Sequence, residues 1–281
     1  MKRYTIEKQD IQRFSTDLRQ TEYAAGSIEK YLRDLESFRV WLEGRAVTGE
    51  TVAEWKEELR RRGFRAETVN AKLAALNRFF SFRGWQELRT RYFRVQRRFF
   101  RDRERELTKE DYARLLETAK KQGKTRLTLL METVCATGIR VSEVKYITLE
   151  AVRSGQTEIF LKGKIRTILL PGKLCRKLEK YAQKQKIASG EIFLTRNGKG
   201  LSRRQIWAEM KALCAKAGVA ASKVFPHNLR HLFARTFYRA CRDVAKLADV
   251  LGHSSIETTR IYLISTGVEH ARELERLGLI S

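Results

Sequence analysis

Proline is nearly absent from these 281 residues, occurring only as Pro171 and Pro226. With so few rings to lock the backbone and remove N–H donors, the chain is expected to be mainly helical. Cysteine is sparse as well. Cys135, Cys175, Cys214 and Cys241 lie far apart with no Cys-x-x-Cys pair, which argues against a structural zinc site and against a small disulfide-stapled fold. Each sits in an apolar or helical stretch and reads as a buried free thiol. No run of about 18 apolar residues occurs, so no membrane span is expected. The opening MKRYTIEKQD lacks the apolar stretch of a signal peptide, and a cytoplasmic protein is the expectation. No acidic cluster has metal-ligand spacing, so no metal site is expected.

Acidic side chains are also few beside their counterparts: 33 Asp and Glu against 58 Lys and Arg, a net charge of +25. Such an excess attracts polyanions and repels copies of itself. Nucleic acid is the commonest polyanion with that pull, ahead of an anionic membrane. The charge is not confined to a tail. Residues 1–100 carry 22 basic and 14 acidic side chains, net +8, which leaves +17 for the remaining 181. Both parts of the chain are therefore suited to meet the same polyanion. A hydrophobic content of 42% is enough for a real core.

Apolar residues recur at helical spacing through the first hundred positions. Ile28, Tyr31, Leu32, Leu35, Phe38 and Leu42 form one stripe, with Ser27 as its expected N-cap. Val52, Trp55 and Leu59 form a second, and Val69, Leu73, Leu76 and Phe80 a third. A short helix over 11–18 precedes them. The expectation is a bundle of about four helices over 1–95, joined by turns at Gly26, Gly44, Gly63 and Gly84. Residues 96–106 are highly charged and read as a linker. Thr108 with Asp111 then forms a capping box that opens a second domain over 107–281.

That second domain reads as mixed. Helices are expected near 109–121, 125–137, 173–186, 202–217, 227–241, 243–250, 256–264 and 268–277. A β-hairpin is expected over 157–170 around Lys162-Gly163-Lys164. A short strand over 192–195 would end in an Asn197-Gly198 turn. The fold class is thus mainly α with a small β-hairpin sheet.

Three segments could act on a phosphodiester, which needs cationic donors on its non-bridging oxygens, a nucleophile, and groups that take and give protons. In Ala136-Thr137-Gly138-Ile139-Arg140-Val141-Ser142-Glu143, a helix ends at Gly138, a new one begins near Ser142, and Arg140 points out of the turn between them. Alone, Arg140 reads as an ordinary surface arginine. In Pro226-His227-Asn228-Leu229-Arg230-His231, His227 and Arg230 share a helix face, placing a proton-transfer group beside a planar phosphate fork. A solvated basic helix start fits that segment equally well. In Leu251-Gly252-His253-Ser254 followed by Tyr262 nine residues after the histidine, the tyrosine alone reads as core.

Together these segments resemble the tyrosine recombinase, or lambda-integrase, family. That family carries ATG-hydrophobic-R-x-S-E, P-H-x-L-R-H and L-G-H-S segments and a tyrosine nine residues after the last histidine. The match runs over about 107–281. The 1–95 segment is similar to the family's core-binding domain in pattern only, and the layout is most similar to Xer-type and small transposon or phage integrases. The resemblance implies that Tyr262 is the nucleophile and that Arg140 and Arg230 clamp the scissile phosphate. It makes His227 the general acid/base partner and His253 a second donor to the phosphate. It also implies a hairpin lysine that protonates the leaving 5′-oxygen. The family turn commonly reads G-K-G-N-K-x-R and this one is a residue shorter, so Lys162 is the choice and Lys164 the alternative. Glu143 matches a supporting acidic position.

The activity implied is site-specific cutting and rejoining of DNA through a 3′-phosphotyrosine and a Holliday junction, with no cofactor, metal or ATP. The implied partners are double-stranded recombination sites, a homo-tetramer, for which the amphipathic stretch 268–279 would be the docking helix, and accessory proteins. The implied location is the nucleoid within the cytoplasm. Two other functions use the same features. A type IB topoisomerase would use the same chemistry without a specific site, and a non-catalytic DNA-binding regulator would use 202–250 as helix-turn-helix elements.

Overall fold

A computed structural model describes residues 4–95, 103–161, 164–253, 255–263 and 275–276. The chain divides into two units, Met1–Arg97 and Arg98–Ser281.

In the first unit, four helices surround an aromatic core: α1 (Lys8–Gln20), α2 (Ala25–Leu42), α3 (Gly49–Arg61) and α4 (Ala66–Arg83). Phe14, Leu35, Phe38, Trp55, Leu73, Leu76, Phe79 and Phe80 are buried at its centre; the predicted stripes supply all but Phe14 and Phe79. Ser27 is not the cap of α2. The Ala24 carbonyl already accepts from the Ser27 amide at 2.8 Å and from that of Ile28 at 3.1 Å. The helix therefore starts earlier and Gly26 lies inside it, while the chain turns at Glu22, whose φ is 57°. Beyond α4 a single 3-10 turn, Gln86–Leu88, leads into an extended segment. Asn77 bonds both backbone groups of Thr90, at 2.9 and 3.0 Å, through its side-chain amide, and Asn70 does the same to Phe93, at 2.9 and 2.8 Å. Two asparagines two turns apart on one helix face satisfy a strand-like segment that has no sheet to join.

The second unit is built on α6 (Thr125–Thr137), against which α5 (Lys109–Lys121), α8 (Gly172–Lys184), α9 (Arg203–Lys211) and α11 (Pro226–Cys241) pack. The predicted box opens α5. The Thr108 hydroxyl accepts from the Asp111 amide at 3.0 Å, and the Asp111 carboxylate accepts from the Thr108 amide at 3.2 Å. A short helix α7 (Leu149–Ser154), capped by Thr148, precedes the hairpin; no apolar stripe announced it because it is barely two turns long. Strands β1 (Gln156–Leu161) and β2 (Lys164–Leu169) pair antiparallel with Leu161 opposite Lys164. Ile159 and Ile168 face the core, whereas Phe160, Ile165 and Leu169 are exposed on the other face.

Four expectations change. The 202–217 helix is interrupted after α9, and α10 (Cys214–Ala217) is a separate turn. Residues 192–195 form no strand. Single bridges, Thr148 to Glu191 and Leu194 to Gly200, are all the pairing there, although the tight turn exists, with Gly198 at φ 71°. Residues Val141–Tyr146 form a 3-10 turn, not the start of an α-helix. Of the four thiols, all free, Cys214 is buried and Cys135 and Cys175 are half-buried, while Cys241 is exposed at the end of α11. The helices α12 (Val244–Leu251) and α13 (Ile256–Leu263) pack on α11. In the expected 96–106 linker, residues 96–102 lie outside the described residues, as does the expected 268–279 helix apart from 275 and 276.

Candidate active site

The site forms where α6 ends, α11 begins and α12 turns into α13. Gly138 closes α6 in the left-handed region at φ 65°, and a Cβ there would lie 2.4 Å from Phe233 Cδ1. Only glycine satisfies both the backbone and the packing. The chain then extends to Arg140, whose amide donates to Glu143 Oε2 at 2.8 Å and whose Nη1 donates to Glu143 Oε1 at 2.9 Å. Glu143 is 1% exposed and Arg140 42%, so the carboxylate is the buried anchor and the guanidinium reaches outward.

Pro226 opens α11, where a missing N–H costs nothing. His227 is exposed on the first turn and Arg230 is buried one turn later. Arg230 connects all three sequence segments. Its Nη1 donates to the Gly138 carbonyl, and its Nη2 donates to the Leu251 carbonyl at 2.9 Å. Nη2 also lies 2.9 Å from His253 Nε2, and Nε lies 3.4 Å from the Tyr262 hydroxyl. Burial lowers the proton affinity of this guanidinium, and the bond to Tyr262 works against that shift.

His253 follows Gly252, whose φ is 63°, and its amide closes α12 on the Ala248 carbonyl at 2.9 Å. Because a guanidinium can only donate, His253 Nε2 accepts from Arg230. The imidazole proton then sits on Nδ1 and is donated to the Thr259 hydroxyl 2.8 Å away. Burial first, then the charges of Arg230, Arg140 and Arg166, hold His253 down at about 4. It is therefore neutral at physiological pH.

Tyr262 lies on α13 with 3% of its surface exposed. Its ring stacks on His253, with centroids 5.6 Å apart and planes 15° apart. The rings of His231 and His227 lie 4.4 and 6.1 Å from it. Arg140, Glu143, His227, Arg230, His253 and Tyr262 are thus brought together. Lys162 lies outside the described residues, as does the side chain of Lys164; the backbone of Lys164 begins β2.

Arg166 was not anticipated. It donates to Glu143 Oε2 at 2.9 Å through Nη1 and to the Val250 carbonyl at 2.8 Å through Nη2. Burial lowers it to about 10, so it remains charged. The signal was present in the strand: Arg166 lies opposite Ile159 on the face that also carries Ile168, and a charge on the inward face of a strand requires a buried partner. Three guanidiniums and a neutral imidazole against one carboxylate leave a net charge of about +2, suited to a phosphate diester. A cavity of about 780 Å³ opens here, lined by Arg140, Ser142, His227 and Arg230 and, on α9, by Arg203 and Trp207. Among the described residues, no three His, Cys, Asp or Glu side chains are placed to hold a metal ion.

The signature of the phage integrase family matches residues 105–267, and that of the phage integrase N-terminal SAM-like domain matches residues 11–87. Tyrosine recombinase XerA of Pyrococcus furiosus is 28% identical over 289 residues, covering 100% of this chain and 98% of the relative. Tyrosine recombinase XerC of Roseiflexus castenholzii is 31% identical over 268 residues, covering 85% of this chain and 83% of the relative. A lambda integrase tetramer solved bound to a Holliday junction shares the fold, with a TM-score of 0.72 at 17% identity over 90% of this chain and 76% of that one.

Proposed function

The chain belongs to the phage integrase family, and we propose that the Tyr262 hydroxyl is the nucleophile with which it cuts and rejoins DNA. It is a tyrosine-type site-specific recombinase. The observation that carries the residue assignments is the convergence on Arg230, whose single guanidinium reaches Gly138, Leu251, His253 and Tyr262.

Arg140 and Arg230 take the non-bridging oxygens of the scissile phosphate, each with a planar fork. The Tyr262 oxygen attacks phosphorus and the bond to the 5′-oxygen breaks, leaving a 3′-phosphotyrosine. His227, exposed at the cavity, accepts the tyrosine proton. Lys162 gives a proton to the leaving 5′-oxygen, with Lys164 as the alternative donor. A 5′-hydroxyl of the partner duplex then attacks the phosphotyrosine and releases Tyr262. The ester conserves the bond energy, so no ATP is consumed. His253 has a proton to give only on Nδ1 in the resting arrangement. An entering phosphate that draws Arg230 away from Nε2 raises the ring's proton affinity, and a proton taken up from solvent at Nε2 then makes His253 a donor to the phosphate.

The substrate is double-stranded DNA with specific recombination sites, and the working assembly is a homo-tetramer that resolves a Holliday junction. Positive charge on both parts of the chain supports this, as does the tetrameric DNA complex solved for lambda integrase. Residues 1–95 serve as the core-binding domain, 96–106 as linker and 107–281 as the catalytic domain, with 268–279 docking on a neighbouring protomer. Among the described residues no helix is long and apolar enough to cross a membrane, and the place of action is the nucleoid within the cytoplasm. Tyr262→Phe tests the assignment directly. It should bind DNA as the parent does and form no covalent adduct on labelled substrate; an adduct would move the nucleophile elsewhere. Relaxation of supercoiled plasmids lacking any recombination site would indicate topoisomerase behaviour instead.

A further inference from the structure

We infer that Arg166 is a positioning residue for the phosphate clamp, holding both Arg140 and Arg230 in place without touching the substrate itself. This rests on the reading of those two arginines as the clamp. Arg166 reaches Arg140 through one shared carboxylate and Arg230 through two successive backbone carbonyls. Glu143 Oε2 accepts from Arg166 at 2.9 Å while Oε1 of the same carboxylate accepts from Arg140, also at 2.9 Å. Arg166 Nη2 bonds the Val250 carbonyl, and the next carbonyl along, Leu251, accepts from Arg230.

Electrostatics gives the arrangement its purpose. Glu143 and Arg140 alone would neutralise each other, and Arg140 would meet an incoming phosphate with its charge already matched. A second guanidinium on the same carboxylate offsets Glu143 and leaves the attraction of Arg140 available. Arg166 itself stands back from the substrate: Arg140 and Arg230 both line the cavity and Arg166 does not. Its terminal nitrogens bond to Glu143 and to the Val250 carbonyl.

The sequence at the other side of the contact is shaped by it. A Cβ on Gly252 would lie 2.1 Å from Arg166 Cδ. The glycine before His253 therefore makes room for the Arg166 stem as well as permitting the left-handed turn. Through Arg166, strand β2 of the hairpin is joined to the turn that carries His253.

The test compares two substrates in the full-length protein. One has an ordinary scissile phosphate. In the other a methyl group replaces one non-bridging oxygen, giving a neutral methylphosphonate that has no charge for a clamp to match. Covalent-complex formation is measured in single turnover for Arg140→Ala, Arg166→Met and Arg166→Lys, together with DNA affinity. Arg166→Met should slow reaction on the phosphate about 10- to 100-fold, the scale of losing a supporting partner, and much less on the methylphosphonate. Arg166→Lys should fall between, and DNA affinity should stay near that of the parent.

Equal slowing on both substrates, or no slowing, would overturn the inference, since general damage to the fold has no reason to spare the neutral substrate. Arg140→Ala separates the two readings: if it shows no relative gain on the methylphosphonate, the clamp assignment fails and the role of Arg166 falls with it. Should Arg166→Met fold poorly, Gly252→Ala pushes on the same side chain and should show the same substrate preference; without that preference the inference is lost.

Discussion

The Arg230 guanidinium lies against the Tyr262 hydroxyl, with Nε 3.4 Å from the oxygen, although the two residues are 32 positions apart. Its remaining bonds go to backbone carbonyls at the ends of α6 and α12 and to His253 Nε2. One side chain thus braces the site and also faces the reacting group, and the two arginines of the clamp are not equivalent in consequence.

Arg230→Lys and Arg140→Lys should both lower cleavage by about 100- to 1,000-fold, because a point charge cannot replace a fork on two oxygens. They should differ in stability. At 1% exposure, Arg230→Lys strands at least one buried carbonyl, a loss on the order of 1–3 kcal/mol, and its thermal midpoint should drop. Arg140 is 42% exposed, and its lysine variant should melt with the parent. Matching melting curves for the two variants would show that Arg230 does not brace the fold.

Changing the leaving group should test the hairpin. A scissile bond with sulfur at the 5′-bridging position needs no proton to depart, since a thiolate leaves far more readily than an alkoxide. Lys162→Ala should cut ordinary DNA poorly and the sulfur substrate nearly as fast as the parent. Rescue of Lys164→Ala in its place would shift the proton donor by two residues.

His253 should make the protein less stable in mild acid. Its native value is lowered to about 4 from the ordinary 6.5. Between those values the unfolded chain takes up a proton that the native state refuses, so stability falls as pH drops through that window. His253→Gln keeps polar capacity without titrating. The gap between its melting temperature and the parent's should narrow or reverse from pH 7 to pH 5. A gap that stays constant would mean that His253 is not held neutral in the fold.

Gly138→Ala should cost on the order of 1–3 kcal/mol, from the left-handed backbone and from overpacking against Phe233. Adding Phe233→Leu should recover part of the loss, because the 2.4 Å approach is to that ring. Strictly additive effects of the two changes would show that the ring is not what excludes the side chain.

Local pattern carried much of this protein. The stripes on α2, α3 and α4, the capping box at Thr108 and the pairing of β1 with β2 follow from periodicity and turn chemistry within a few residues of one another. The clustering of Arg140, His227, Arg230, His253 and Tyr262 was legible only because three separate motifs matched one family pattern; each alone was an ordinary surface or core residue. What the tertiary structure decided is what distant backbone supplies. Ser27 lost its capping role because the Ala24 carbonyl captured its amide. The 192–195 strand did not form because its neighbours offer single bridges only. Arg166, an inward-facing charge on β2, became part of the site because Glu143 and the Val250 carbonyl, 23 and 84 positions away, meet it in the interior. A buried charge must be matched by whatever the fold brings to it, and sequence spacing holds no record of that partner.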